Sequence, residues 1–367
     1  MRSLGKFAFA GAAALALTLG SAPAYAEGTL NVYNWAEYIG EDTIANFEQE
    51  FGIKVTYDLY DSVETADAKL LAGNSGYDVV SHASYNVARL IPAGILMELD
   101  KSKLPNFKHI RPDVMAQVDK RDPGVKHFVP YMWGTHGVTY NAELVESVHP
   151  TAPIGSLDLI FQPEHMEKIA ECGVSFLDSP TDMIPMALAY LGLEVDSTNR
   201  ADYKKVEELM AQIRPYIKTF DNYAYQRMPE KEFCVAVTWG PDGLLAMSGA
   251  AEANTGVVLD FFLPPGQGAA AFWVDGWVVP ADAKNVENAY LFLNYMMRPE
   301  VAAGDSNATW YATANLDALP MVDPEVSGNH ATYPTQEQVE MMYLGNVLPP
   351  KIERVQTRTW TNIKAGN

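Results

Sequence analysis

The sequence has 367 residues, of which 48% are hydrophobic and 20% charged, and its formal net charge is −20 at pH 7. This is the composition of a folded globular protein, and the length exceeds what a single hydrophobic core usually reaches, so two lobes are expected. A surface this acidic repels nucleic acid and attracts cations, which argues against a nucleic-acid partner.

Residues 1–26 predict a secretory signal peptide. Arg2 and Lys6 give it a positive start, residues 7–19 are an apolar run, and Ala24-Tyr25-Ala26 has the form of a cleavage site. Its removal would take away two positive charges, so the mature chain would carry a net charge of −22. No later run reaches the roughly 18 apolar residues that a membrane span requires, so we expect an exported, soluble protein.

The mature chain opens with a predicted strand that ends in aromatic and acidic residues. Residues 30–34 alternate between apolar and polar, and Trp35, Glu37 and Tyr38 follow at the carboxyl end. A carboxylate beside aromatic rings suits an organic cation, because the carboxylate pairs with an ammonium group and the ring face attracts it. The same residues are equally compatible with a first strand whose rings belong to the core.

Helices and strands alternate in the next segment. The patterns predict helices over 42–52 and 62–73, strands over 53–57 and 77–80, and a loop over 81–86. This order is typical of a parallel sheet with crossover helices. Because parallel strands end at a shared edge of the sheet, the 81–86 loop should open beside Trp35.

The run 128–140 contains Gly134 and Gly137 and predicts a strand that crosses between two lobes. A second set of α/β elements follows in positions 141–250. Further elements are predicted as strands over 173–178, 233–239, 257–262 and 271–279, and as helices over 183–191 and 288–297. Because no flexible linker separates the two sets, the chain should cross between the lobes more than once.

Catalytic and metal-binding motifs are absent from the sequence. There is no G-x-S-x-G, P-loop or H-E-x-x-H motif, and the histidines at 82, 109, 127, 136, 149, 165 and 330 show no metal-ligand spacing. We therefore predict no catalytic residue, no metal and no cofactor. What recurs is an aromatic ring with a carboxylate near a strand end: Trp35 with Glu37, Trp239 with Asp242, and Trp273 with Asp275.

Two functions fit these pairs. A site for a slender organic cation would use the rings to cover methylene groups and the carboxylates to pair with amines, because a desolvated ammonium is costly unless it is paired. An exported hydrolase acting on a sugar is the alternative, since aromatic platforms with paired carboxylates also suit glycoside chemistry.

The chain contains two cysteines, Cys172 and Cys234. An even number of cysteines in an exported chain predicts a disulfide. The closed loop would span about 62 residues, for which chain entropy gives a stabilisation of roughly 4 kcal/mol.

Several motifs together resemble a known family. They are Asn34-Trp35-Ala36-Glu37-Tyr38-Ile39, the run 99–105, Pro130-Tyr131-Met132-Trp133-Gly134, the run 172–178 and Thr357-Arg358-Thr359-Trp360-Thr361. The sequence is similar in these motifs to the periplasmic polyamine-binding proteins of bacterial ABC transporters, the putrescine- and spermidine-binding group. The resemblance covers the whole mature chain.

The resemblance implies an α/β fold of the periplasmic-binding-protein type (type II-like), with two lobes that close around a ligand on a hinge of crossing strands. Lobe one would comprise residues 27–135 and 256–305, and lobe two residues 136–255 and 306–367. The resemblance further implies a periplasmic location, no enzymatic activity, a polyamine ligand, a membrane permease of an ABC transporter as partner, and a monomeric state. A polyamine sensor without a transport role is left open.

The family's ligand contacts, carried over by position, fall on residues of several segments. They are Trp35, Ala36, Glu37, Tyr38, Tyr85, Asp182, Trp239, Asp242, Trp273, Asp275 and Tyr311. Ala36 stands where the family usually has a hydroxyl residue, Asp182 replaces the glutamate of the putrescine-binding type, and the 81–86 segment departs from the usual pattern. Glu37, Tyr85 and Trp273 resemble the spermidine-preferring members, so the resemblance leaves the length of the polyamine open.

Overall fold

The computed structural model describes residues 28–254, 256–329, 331–345 and 347–366, and the predicted signal peptide lies outside them. In this part of the chain the strands are β1 (Gly28–Trp35), β2 (Ile53–Tyr60), β3 (Val79–Ala83), β4 (Val129–Asn141), β5 (Val174–Phe176), β6 (Thr219–Phe220), β7 (Val235–Trp239), β8 (Leu259–Phe262), β9 (Ala271–Val278), β10 (Ala312–Thr313) and β11 (Tyr343–Leu344).

The α-helices of the described residues are α1 (Thr43–Phe51), α2 (Val63–Leu71), α3 (Ser84–Leu90), α4 (Pro112–Asp119), α5 (Ala142–Val148), α6 (Asp158–Phe161), α7 (Pro163–Ile169), α8 (Pro180–Tyr190), α9 (Arg200–Ile213), α10 (Gly240–Glu252), α11 (Val286–Met296), α12 (Pro299–Thr309), α13 (Pro324–Ser327), α14 (Gln336–Met341) and α15 (Pro350–Ala365). Short 3₁₀ helices lie at Lys101–Lys103, Pro105–His109, Ala170–Cys172, Arg214–Tyr216, Ala224–Arg227 and Leu319–Met321.

The first three strands form the predicted parallel sheet. β1 lies between β2 and β3 and runs parallel to both. Helix α1 ends at Gly52, whose positive φ of 68° closes the helix, and Ser62 caps α2 by accepting a hydrogen bond from the Thr65 amide. Asp42 precedes α1 as predicted, but its side chain makes no capping hydrogen bond.

β4 is the long crossing strand that the sequence predicts. All 13 of its residues are buried. Its first half pairs antiparallel with β9, and its second half pairs antiparallel with β7 and β8. The sheet order β2-β1-β3-β9-β4-β7-β5-β6 therefore places β4 in the middle, where it contributes to the packing on both sides.

Two large hydrophobic cores flank this central strand. The first core includes Leu30, Val32 and Trp277, and the second includes Val138, Phe176 and Trp360. Both contain a layer of helices packed on the sheet, α1 and α11 in the first core and α8, α9 and α15 in the second. This arrangement is the predicted α/β architecture.

Three short strands pair with the central part of the sheet. β8 pairs with the second half of β4. β10 pairs with the first half of β4, and β11 pairs with β9. Leu348 and the final helix, α15, pack on the second core.

The predicted disulfide is confirmed. Cys172 and Cys234 are bonded, with their Cα atoms 5.4 Å apart, and they join the end of the 3₁₀ helix before β5 to the residue before β7. Both belong to the second core. In the described part of the chain, no helix combines the length and the apolar character that crossing a membrane would require.

Candidate functional site

A cavity of about 350 Å³ lies between the two cores. All eleven residues predicted as ligand contacts line it, including Ala36. They come from strand ends, helix starts and the middle of β9, namely Trp35, Ala36, Glu37 and Tyr38 at the end of β1, Tyr85 in α3, Asp182 in α8, Trp239 and Asp242 at the β7–α10 junction, Trp273 and Asp275 in β9, and Tyr311 before β10.

The turn after β1 directs three of these side chains into the cavity. Glu37 adopts the left-handed conformation, with φ 56°, which costs a non-glycine residue roughly 1–2 kcal/mol. The Asn34 side chain holds the turn by donating a hydrogen bond to the Tyr38 carbonyl at 3.0 Å. From this turn the Glu37 carboxylate reaches Tyr225 and the Tyr38 ring reaches Tyr311, and both side chains line the cavity.

The prediction of a loop over residues 81–86 is wrong. Ser81–Ala83 complete β3, and α3 begins at Ser84. Ala83 stands at the N-cap position without a side chain that could signal a helix start, which explains why the sequence gives no helix signal there. Tyr85 consequently projects into the cavity from the first turn of a helix.

β9 supplies the floor of the cavity. Trp273, Asp275 and Trp277 alternate along it as predicted, but Trp277 is fully buried in the first core, whereas Trp273 and Asp275 line the cavity. Gly134 of β4 lies directly opposite Trp273, and a Cβ atom at this glycine would come within 2.5 Å of the indole ring. A side chain at position 134 would therefore displace Trp273.

Aromatic rings form much of the cavity wall. The Tyr38 and Tyr311 rings meet nearly perpendicular, with centroids 4.7 Å apart, and Trp273 lies 5.5 Å from Tyr311. Trp35 packs against Tyr60 at 4.3 Å. Ring faces in such a setting attract a cation by about 0.5–2 kcal/mol, depending on how dry the site is.

Two of the carboxylates are almost completely buried. Burial raises the pKa of Asp242 to about 7, a hydrogen bond donated by the Tyr311 hydroxyl opposes the rise, and the charge of Glu37 adds to it. Burial likewise raises the pKa of Asp275 to about 7, with the Tyr38 hydroxyl opposing the rise and the charge of Asp182 adding to it. Each of these carboxylates is costly to ionise without a cation beside it.

The other two predicted carboxylates, Asp182 and Glu37, accept hydrogen bonds from neutral side chains. Asp182 accepts from the Trp239 indole at 3.2 Å and from the Ser179 hydroxyl at 2.6 Å. Glu37 accepts from the Tyr225 hydroxyl at 3.1 Å. Asp182 and Glu37 each bond to an aromatic side chain that is distant in the sequence.

Contacts between the two cores run across the cavity. The side chains and backbone groups that meet there are Glu37 with Tyr225, Asp242 with Tyr311, Tyr343 with the Thr181 carbonyl, and Arg89 with Glu353. Further lining residues were not predicted from the sequence, because they make contacts with distant parts of the chain; they include Tyr60, Tyr225, Tyr343 and Arg89. The sequence feature that can predict a lining residue is an aromatic ring next to a predicted strand end. Tyr225 and Arg89 do not have this feature.

The cavity is strongly acidic. Among the described residues its lining includes one lysine or arginine, Arg89, and that side chain is paired with Asp67 and Glu353. The carboxylates of the lining are Glu37, Asp61, Glu64, Asp67, Asp178, Asp182, Asp196, Asp242, Asp275 and Glu353. The cavity therefore favours a ligand that carries positive charge.

The described residues contain no group of three or more histidine, cysteine or acidic side chains suited to hold a metal ion.

The family model of the bacterial extracellular solute-binding proteins matches residues 42–335, which is most of the chain. The chain belongs to this family. Membership makes it a binding protein and not an enzyme, and it counts against the hydrolase alternative.

Relatives of this solute-binding protein are similar over nearly their whole length. The putrescine-binding periplasmic protein SpuD of Pseudomonas aeruginosa is 43% identical over 96% of this chain and 97% of its own. The putrescine-binding periplasmic protein PotF of Escherichia coli is 43% identical over 96% of both chains. A putative spermidine/putrescine ABC transporter protein from Listeria monocytogenes has a similar structure, with a TM-score of 0.81 at 27% identity over 92% of this chain and 99% of its own.

Proposed function

We propose that this solute-binding protein captures a linear polyamine, putrescine or spermidine, in the periplasm and delivers it to the membrane permease of an ABC transporter. The observation that carries the proposal is the composition of one cavity, which is lined by both aromatic rings and carboxylates, and in which the one lysine or arginine among the described lining residues is already paired. The relatives named for putrescine binding, at 43% identity, support the same ligand class.

The carboxylates fall into two groups that could each receive an amine. Asp242 lies near Glu37 at one end, and Asp275 lies near Asp182 further along. The Tyr311 ring stands between the groups, where it can cover methylene groups. Each ammonium would then meet carboxylates and ring faces together, which offsets the cost of removing it from water.

Two lobes that close on the ligand would explain why the cavity is lined from both cores. On the evidence of strand pairing, we propose lobe one as residues 28–135 and 271–345, and lobe two as residues 136–262 and 348–366. Tyr311 then belongs to lobe one, and its hydrogen bond to Asp242 joins the lobes.

We further propose that the protein acts as a monomer and binds no nucleic acid, in keeping with its net charge of −20.

Calorimetry with putrescine, spermidine and butane-1,4-diol tests the ligand class. Both polyamines should bind and the neutral diol should not, because the diol gives the buried carboxylates no charge to pair with. Mass analysis after incubation should return the polyamine unchanged, as a carrier requires. Binding of the diol as tight as that of putrescine would overturn the proposal.

Small-angle scattering tests closure of the lobes, and the radius of gyration should fall when saturating polyamine is added. An unchanged radius would count against closure.

Transport and sensing are separated by a further assay, in which cells that lack the permease should lose polyamine uptake that depends on this protein. Polyamine uptake that is unchanged in cells lacking this protein would favour the sensor alternative.

A further inference from the structure

Arg89 is the one cation among the described residues that line the cavity, and the proposed function gives it no role. It lies in α3 four residues after Tyr85, so the two side chains share one face of the helix. Tyr85 faces the same cavity. The guanidinium of Arg89 therefore lies one helical turn beyond the predicted ligand contacts.

Two carboxylates hold this guanidinium. One is Glu353 of α15, whose oxygens lie 3.2 and 3.4 Å from Nη1 of Arg89. The other is Asp67 of α2, which is buried and also accepts hydrogen bonds from the His82 imidazole and the Asn86 amide. Burial lowers the pKa of His82 to about 4, so Arg89 is the cation that balances the charge of Asp67.

Further carboxylates line the cavity near Tyr85. Tyr311 lies near Asp242 and Asp275, and Asp275 lies near Asp182. Tyr85 lies near Asp182 and Asp275 and also near Glu64. Arg89, with its two carboxylates, follows Tyr85 by one turn of α3. The cavity lining therefore has acidic groups in addition to the two proposed amine positions, and the protein itself supplies the cation that pairs with Asp67 and Glu353.

We propose that Arg89 is a specificity-determining residue that limits the length of the polyamine. Its guanidinium occupies the acidic end of the cavity, where a further amine of a longer ligand would otherwise pair with Asp67 and Glu353. An ammonium arriving there meets a like charge and finds the carboxylates already paired. This proposal rests on the proposed function, because it concerns which member of the polyamine class the same site accepts.

The test measures the affinities of putrescine, spermidine and the tetraamine spermine by calorimetry, for the wild type and for Arg89→Ala. In the variant, the affinity of spermine relative to putrescine should rise at least tenfold, because the vacated end offers two carboxylates to the additional amine. Arg89→Lys keeps the charge and should keep the wild-type ratio. Arg89→Gln provides a second neutral variant if the alanine variant fails to fold.

Two controls separate length selection from other effects. Lys364→Ala removes a cation that pairs with Asp178 at the cavity wall but does not itself line the cavity, so it should raise all affinities together and leave the ratio unchanged. Adding Glu353→Gln to Arg89→Ala should lower the gain for spermine. Loss of the contact between α3 and α15 would weaken closure for all three ligands alike. The ratio of spermine affinity to putrescine affinity is therefore insensitive to this loss.

The outcomes are distinguishable. If the wild type binds no polyamine, the proposed function fails. If the wild type binds polyamines and both neutral variants keep the wild-type ratio of spermine to putrescine, the role of Arg89 in length selection is refuted while polyamine binding stands. The role of Arg89 is supported if the ratio of spermine affinity to putrescine affinity rises in the neutral variants of Arg89 but not in Arg89→Lys or Lys364→Ala.

Discussion

Lowering the pH from 8 to 6 should weaken polyamine binding about 100-fold, because Asp242 and Asp275 must both be ionised to pair with amines. Burial raises the pKa of each to about 7, so in the empty protein both are mostly ionised at pH 8 and mostly protonated at pH 6. Releasing a proton from a group with a pKa one unit above the pH costs about 1.4 kcal/mol, or about tenfold in affinity for each carboxylate.

Calorimetry at pH 6, 7 and 8 measures this dependence directly. At pH 7 each carboxylate of the empty protein is about half protonated, so binding should release about one proton in total. The number of protons is obtained by repeating the titration in two buffers that differ in ionisation enthalpy. Putrescine is the ligand for this measurement, because both of its primary amines stay protonated throughout this range, so the protons come from the protein.

Two variants assign the effect to the cavity. Asp275→Asn removes one of the two groups and should reduce the pH dependence to about tenfold, with about half a proton released at pH 7. Glu300→Gln changes an exposed carboxylate in α12 and should leave the full dependence. An affinity that stays constant from pH 6 to pH 8, or binding that releases no proton, would refute the reasoning.

Three further effects are expected. Asp275→Asn at pH 8 should weaken putrescine and spermidine binding by about 2–5 kcal/mol, measured by calorimetry, because the amine loses a buried partner; a change below threefold would make this carboxylate structural. Replacing Cys172 and Cys234 together by serine should lower the free energy of unfolding by roughly 4 kcal/mol in urea titrations, and an unchanged midpoint would contradict this. Gly134→Ala should displace Trp273 and weaken binding while Trp fluorescence reports the shift; unchanged affinity would mean that the ring position is not critical.

Local patterns predicted much of the fold. The alternation of β1 and the capping signals around α1 and α2 depend on neighbouring residues, so the first parallel strands were predictable. The position of β10 could not be predicted from local sequence, because its two residues carry no pattern of their own and are held by pairing with β4. Local sequence cannot report a partner that lies some 180 residues away.

The residues of the candidate site likewise include some that local sequence can predict and some that it cannot. Trp35, Glu37 and Asp275 belong to motifs in which a ring and an acid stand close together in sequence, so the pattern and the family resemblance both point to them. Arg89 reaches Glu353 over 264 residues, and Tyr225 reaches Glu37 over 188. These contacts depend on where α15 and the 3₁₀ helix Ala224–Arg227 place their side chains, and no motif records that placement.

β4 has a consequence for how this chain can exchange segments with its relatives. Its first half is hydrogen-bonded to β9 and its second half to β7 and β8, so a single strand carries side chains that must fit two separate sets of neighbours. A recombination crossover inside residues 129–141 would combine one half fitted to one parent with another half fitted to the other. Chimaeras that inherit this strand as an unbroken block, with β7, β8 and β9 from the same parent, therefore keep all of these strand pairings.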